Sequence, residues 1–302
     1  MTPTTATAPE VAPFRLFELI VLRTRRLGPS ILRITLGGPG ADGFSGGGRD
    51  QSLSVLLPRP GQSEALPRPG QSEALPRPGR SEALAPAGGG GAWHDKWRAL
   101  PEDERAVPRS YAVRAQRLRA DGSTEVDLDF VLHDAGGPGC RWALAAAPGD
   151  RLAVLGPAEA DNAAVRFRPP ADTDWVLIRA DETALPAAAA ALEWLPAGLP
   201  ARVWLEVPCT EDRQALNTAA KARISWLVRN EGAACGVETV RAAELPGGTP
   251  YAWIAGEASG VRALRHHLVH ERGFDRERVM SAAYWRRGLP EEQLRRAEAE
   301  PR

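Results

Sequence analysis

The chain carries two hydrophobic rhythms, one in each half. Before residue 160, short runs alternate apolar and polar positions, the period of a half-buried strand. In Glu125-Val126-Asp127-Leu128-Asp129-Phe130, the alternation puts Val126, Leu128 and Phe130 on one face. Leu53, Val55 and Leu57 repeat the pattern. Strands are predicted over residues 14–25, 30–36, 51–57, 108–114, 125–133 and 150–155, with Gly/Pro turns between them. This rhythm predicts an antiparallel β-barrel over residues 14–160.

From residue 174 apolar strands alternate with helices. Strands are predicted over 175–179, 202–207, 224–228, 251–255 and 279–284. Helices are predicted over 185–195, with Pro186 in its first turn, and over 259–271. Asp181 and Thr183 stand as capping groups before the first helix. The alternation predicts a parallel-sheet α/β domain over 172–290, with helices on both faces. The fold class is therefore a β domain followed by an α/β domain, joined through residues 161–172.

Other segments fit neither rhythm. A nonapeptide beginning at Leu57 recurs from Leu66 and from Leu75, with Arg80 replacing Gln in the last copy. Two prolines and a glycine per copy exclude a helix or a central strand. Residues 57–90 are read as a permissive loop insert, and 93–100 as a short helix after it. Residues 1–13 and 291–302 are read as tails, the first disordered.

Composition narrows the function classes. Thirty-eight basic and thirty-eight acidic residues cancel, which argues against a nucleic-acid binder working by bulk charge. No apolar run reaches the roughly 18 residues of a membrane helix, and no signal peptide is readable. Three widely spaced cysteines point to reduced thiols in a cytoplasmic protein, with no zinc spacing. A monomer without a metal site is expected.

Four segments carry candidate chemistry. Pro108-Arg109-Ser110-Tyr111-Ala112 places Arg109 and Tyr111 on one strand face, a cation beside a flat ring. Gly136-Gly137-Pro138-Gly139-Cys140-Arg141-Trp142 enters a helix whose free N–H groups suit a pyrophosphate. Asp181-Glu182-Thr183-Ala184 and Gly256-Glu257-Ala258 each sit where a parallel strand meets a helix, the ligand-facing edge of such a sheet. Tyr284-Trp285-Arg286-Arg287 ends the chain's ordered pattern. On periodicity alone, a plain hairpin with surface arginines, a simple helix cap and a solvated basic end explain these segments better than ligand sites do. His266 and His270 share a helix face, yet lack the carboxylate of a zinc motif and read as solvated.

As an ordered set, however, the segments resemble the siderophore-interacting protein family. These are relatives of ferredoxin reductases that reduce ferric siderophores. The resemblance runs from Phe14 to Gly288, outside the insert. It implies FAD on Arg109, Ser110, Tyr111, Ala112, Val131, His133, Gly137, Pro138, Gly139, Cys140 and Trp142. It implies NADH or NADPH beside Asp181, Glu182, Thr183, Ala184, Gly256, Glu257 and Ala258. Arg286 and Arg287 become the substrate-binding pair for an anionic ferric chelate. No protein acid or base is needed, because the cofactor carries the chemistry.

The sequence departs from the family pattern at four positions. Ala112 stands for a Ser or Thr, Cys140 for a Ser and Ala180 for a Gly. Ser54 stands for a Lys in the run Asp50-Gln51-Ser52-Leu53-Ser54. The implied activity is an NAD(P)H-dependent flavoprotein reductase that releases iron by reducing Fe(III) to Fe(II). A siderophore-binding accessory protein that has lost FAD, a general flavin reductase and a ferredoxin donor remain as alternatives.

Overall fold

The computed structural model describes residues 13–59, 99, 101, 105–133 and 136–289. The nonapeptide copies, the helix expected over 93–100 and both expected tails lie outside the described residues, apart from a few marginal positions.

The first half forms seven strands: β1 (Phe14–Gly28), β2 (Ile31–Gly37), β3 (Ser52–Leu57), β4 (Val107–Ala112), β5 (Ala115–Leu118), β6 (Thr124–Val131) and β7 (Arg151–Pro157). Helix α1 (Pro138–Ala145) lies between β6 and β7. All pairings are antiparallel, in the order β4-β3-β7-β1-β2-β6-β5. The sheet curls into a half-barrel, and its ladder is open between β4 and β5. Two residues, Val113 and Arg114, bridge these edges; the Arg114 N–H donates to the Asp127 carbonyl at 3.0 Å.

The period-two pattern explains the inside of the curl. Leu53, Val55, Leu57, Val126, Leu128 and Phe130 join Phe17, Leu19, Ile34 and Val154 in one buried cluster. The other face of β6 carries acids, and they are buried too. Asp129 accepts two hydrogen bonds from Arg33, at 2.7 and 2.8 Å. Asp127 accepts two from Arg117, both at 2.7 Å, and Glu125 two from Arg23, at 2.9 and 2.7 Å. Forked arginines satisfy both oxygens of each carboxylate, which makes such burial tolerable.

The second half supplies β8 (Trp175–Ala180), β9 (Pro200–Val207), β10 (Lys221–Val228), β11 (Pro250–Glu257) and β12 (Val279–Trp285), all parallel, in the order β10-β9-β8-β11-β12. Helix α2 (Leu185–Trp194) covers one face; α3 (Gly236–Ala242) and α4 (Ala258–His266) cover the other. Alternation sorts β8: Val176 and Ile178 face α2, whereas Trp175 and Leu177 face α3 and α4. Helix α3 has no counterpart in the sequence reading; at seven residues it is too short for a clear 3.6 period. The expected helix over 259–271 is α4 plus a π-helical turn, His267–Glu271. Strand β10 is an edge, and its exposed positions include Lys221 and Arg223.

Two expectations need correction. Asp181 and Thr183 do not cap α2: its N-cap is Ala184, without a side-chain hydrogen bond. Asp181 Oδ1 instead accepts the Thr183 N–H and hydroxyl, closing a local turn before the helix. Arg114 lies beyond the end of β4, so it is not part of Arg109's strand. It forks onto Glu193 of α2, at 3.0 and 2.8 Å.

That fork belongs to a seam between the halves. Arg49 lies 4.8 Å over the Trp194 ring, and Asp212 accepts the Ser30 N–H at 2.8 Å. At the centre is Asp50, fully buried and held at φ 59°. Its carboxylate accepts the Trp253 indole N–H of β11 at 2.9 Å and the Tyr284 hydroxyl of β12. Burial pushes this carboxyl from its ordinary 3.8 up to about 6, against the lowering effect of the Tyr284 bond, the Arg166 charge and the Trp253 bond.

The sign of the resulting pH dependence follows. A folded pKa above the unfolded one means the folded state keeps a proton that the unfolded chain releases. The Asp50 contribution is therefore complete below about 4 and is lost as pH rises to about 6. Asp50→Asn, a permanently neutral isostere, should gain melting temperature relative to wild type as pH is raised from 4 to 6.5. A difference between the two proteins that stays flat over that window would contradict the assignment.

Candidate functional site

Among the expected flavin residues, Tyr111, Gly139 and Trp142 come together where β4 and β6 meet α1. Arg109 and Tyr111 share a face of β4, opposite Val55 and Leu53 of β3. Both are half-buried, whereas Ser110 is exposed. The Tyr111 ring packs on Phe130 with centroids 4.3 Å apart, and Phe130 on Trp142 at 5.5 Å. This aromatic row connects β4, β6 and α1. The Tyr111 hydroxyl rests against Gly139, where an added Cβ would lie 2.2 Å from that oxygen. Gly139 is therefore required by the tyrosine, a reason the sequence alone did not reveal. Strand β6 ends at Val131, and His133 follows as an exposed residue in the turn.

Helix α1 opens at Pro138 behind Gly137, with no side-chain cap and no acid in its first turn. Its first intrahelical bond runs from the Arg141 N–H to the Gly137 carbonyl. The N–H groups of Gly139 and Cys140 precede it and have no partner within the helix. A Cβ on Gly137 would meet the His133 ring only at an ordinary 3.8 Å. Among the described residues this end has no side-chain cap and no acid in its first turn, and it meets the strand that carries Arg109 through Tyr111, a donor set that fits a pyrophosphate. Cys140 turns inward: its thiol lies 3.7 Å from the His133 carbonyl. Ala112 is buried in the cluster that joins β4 to the second domain.

The second expected set lies at the sheet's topological switch. From β8 the chain proceeds outward through β9 to β10, then returns to place β11 and β12 on the other side. The carboxyl ends of β8 and β11 thus flank the crevice where open α/β sheets bind ligands. Asp181 spans it. Its Oδ2 accepts the Glu257 N–H at 2.8 Å and the Trp285 indole N–H at 2.9 Å.

Gly256, at φ 131°, leaves the space this carboxylate occupies; a Cβ there would lie 2.2 Å from Asp181 Oδ2. Gly256, expected to stand beside the nicotinamide, is thus also required to be glycine by the Asp181 carboxylate. Glu257 caps α4, accepting the N–H groups of Ser259 at 2.7 Å and Gly260 at 3.1 Å. Glu182 is forked by Arg229 at 2.6 and 2.7 Å. Thr183 is held by Asp181, while Ala184 and Ala258 are buried in the packing around the helix starts.

Arg286 and Arg287 are exposed just past β12, beyond the Trp285 that Asp181 anchors. The backbone N–H of Arg287 reaches Glu257 at 3.4 Å. His266 and His270 are exposed with rings 4.7 Å apart, and His267 is buried against Glu271 at 2.7 Å. Among the described residues, no group of three or more His, Cys, Asp or Glu is placed to hold a metal ion. No helix among them is long and apolar enough to cross a membrane.

Comparison with known proteins follows this division. The siderophore-interacting FAD-binding domain matches residues 20–161, and the siderophore-interacting protein domain matches residues 173–288. The chain belongs to the siderophore-interacting protein family. It is 36% identical over 194 residues to the ferric vibriobactin reductase ViuB of Vibrio cholerae, covering 63% of this chain and 68% of that one. It is 28% identical to the NADPH-dependent ferric-chelate reductase of Escherichia coli, over 90% and 93% of the two chains. The solved siderophore-interacting protein SipS of Aeromonas hydrophila superposes with a TM-score of 0.71 at 30% identity, over 94% of this chain and 96% of that one.

Within this family frame, Arg109 is the residue whose role is most sharply testable. Arg109→Ala should weaken FAD by the value of one charge-assisted hydrogen bond, about 1.5–3 kcal/mol, or roughly ten- to a hundredfold in Kd. Titration of FAD into the apoprotein, followed by flavin fluorescence, measures it. Unchanged affinity would move the site away from β4.

Proposed function

We propose that this protein is a flavoprotein reductase that takes electrons from NADH or NADPH and delivers them to Fe(III) in a ferric siderophore. The observation that carries the reading is the uncapped start of α1 against Tyr111, which shares its strand face with Arg109, within a matched FAD-binding domain. Two relatives, a ferric vibriobactin reductase and a ferric-chelate reductase, support the reaction class.

FAD, where bound, supplies the conversion between a two-electron hydride donor and a one-electron acceptor. The chain's own residues bind and orient. Arg109 and the α1 N–H groups meet phosphate charge, and the half-buried Tyr111 ring offers a flat apolar wall held by Phe130 and Gly139. Asp181 fixes the start of α4 and the Trp285 ring at the switch crevice, which sets where the nicotinamide half enters. Arg286 and Arg287, exposed beside that ring, draw an anionic chelate. Iron is substrate here. Once reduced, Fe(II) is held less tightly by hard oxygen ligands and leaves.

Purified protein incubated with FAD and desalted should keep the visible absorption of bound flavin. With NADH or NADPH it should turn over a ferric chelate, with Fe(II) trapped by a ferrous indicator. Colourless protein that still binds a ferric siderophore would support the accessory-protein reading instead. Flavin turnover that needs no chelate would support a general flavin reductase.

The siderophore class follows from charge. Ser54 lies on β3 directly opposite Ser110, in the flavin segment, and stands where the family pattern has a Lys. One docking cation is absent there, which favours hydroxamate-type or mixed-ligand chelates over trianionic catecholates. Ser54→Lys should raise kcat/KM for a ferric catecholate several-fold, for a charge pair worth about 1 kcal/mol near a surface. The gain should fade at high salt. Equal gains for a hydroxamate chelate would refute the charge argument.

A further inference from the structure

In doubly wound sheets, a dinucleotide lies across the carboxyl ends of the strands. In the dinucleotide-binding form of that sheet, an acid at the end of the second strand takes the adenosine ribose hydroxyl, whereas an arginine nearby accommodates a 2′-phosphate. The second strand here is β9, and Glu206 stands at its end, with its side chain 15% exposed. Glu206 Oε2 accepts Arg179 Nη2 at 2.9 Å, and Oε1 accepts Arg229 Nη1 at 3.2 Å. Arg229 in turn forks onto Glu182, whose side chain is 11% exposed. Arg179 also reaches the Ala255 carbonyl at 3.3 Å. The neighbouring Arg213 lies 3.8 Å from Glu231. Arg179, Arg213 and Arg229 are therefore already matched to carboxylates.

The two forms of the donor meet this edge differently. A ribose with a free 2′-hydroxyl donates to Glu206 and displaces nothing. A 2′-phosphate brings nearly two negative charges and must draw Arg229 away from both Glu182 and Glu206. That leaves Glu182 without its forked partner and Glu206 with Arg179 alone, which burial and like charge disfavour.

We propose that the donor is NADH rather than NADPH, selected by Glu206 and by the Arg229 clamp it shares with Glu182. This rests on the reading above that the parallel-sheet domain takes a nicotinamide nucleotide, and it contrasts with the coenzyme in the name of the Escherichia coli relative. Glu206 and Arg229 act on the adenosine half, so they set affinity and leave the chemical step alone.

The test compares ADP-ribose with 2′-phospho-ADP-ribose by calorimetry on the full chain. Flavin reduction by NADH and by NADPH is then followed in the FAD-loaded protein. ADP-ribose should bind at least tenfold more tightly. NADH should show the higher kcat/KM, with the difference in KM rather than kcat. Glu206→Gln removes one of the two carboxylates competing for Arg229, so in protein that remains folded it should narrow both ratios by several-fold.

A preference for the 2′-phosphate forms, or ratios untouched by a folded Glu206→Gln, would overturn the inference while leaving the donor site in place. Should neither nucleotide bind or reduce the flavin, the inference and the donor reading would fall together. Chelate reduction by chemically reduced flavin would then still stand for the reductase.

Discussion

A single buried carboxylate holds the two halves of this protein in register. Asp50 belongs to the loop before β3, yet both its hydrogen-bond donors come from the second domain, Trp253 on β11 and Tyr284 on β12. Trp253 is itself fully buried, so its indole N–H would be stranded without Asp50, at about 1–3 kcal/mol for one unsatisfied buried group. The loop adopts a left-handed backbone at Arg49 and Asp50 to deliver this carboxylate. Such strain persists only where surrounding structure compensates. Around Asp50 that structure is the Arg114–Glu193 fork, the Arg49–Trp194 stack and the Asp212–Ser30 bond. The α1 end of the half-barrel and the switch crevice belong to different domains, so their alignment depends on this seam.

Asp181 performs the corresponding task inside the second domain. One of its oxygens organises the turn before α2, and the other gathers the start of α4 and the ring of Trp285. Three chain segments far apart in sequence meet on two oxygens, and Gly256 is glycine because the carboxylate stands where its side chain would be. Arg286 and Arg287 follow directly after Trp285, so the position of the basic pair also traces back to Asp181.

Much of the fold was legible because its periods are clean. Val126, Leu128 and Phe130 announced β6 and its inner face; the apolar runs of β8 and β11 announced a sheet covered on both sides. The flavin segment was legible as a set of motifs. Less visible were the long-range polar contacts. Nothing local to Glu125, Asp127 or Asp129 shows that Arg23, Arg33 and Arg117 would cover them, since a charged residue in an alternating strand reads as solvent-facing. Glu182 reads as a coenzyme contact, and nothing local shows that Arg229, from beyond β10, forks onto it. Asp50 carried one local hint, an acid directly after three consecutive glycines and an arginine, but its partners lie some two hundred residues away. Hydrophobic period encodes which face is covered. It is silent on which distant ion completes a carboxylate.

Strand β10 closes the parallel sheet on one side, and among the described residues no further strand pairs with its outer backbone. An unpaired edge of this kind is a template on which another chain can add a strand. Its exposed positions include Lys221 and Arg223, and a strand added in register would have to crowd both cations. The same residues that give β10 its polar outward rhythm therefore make edge-to-edge growth unfavourable, a safeguard against aggregation built into the sheet's last strand.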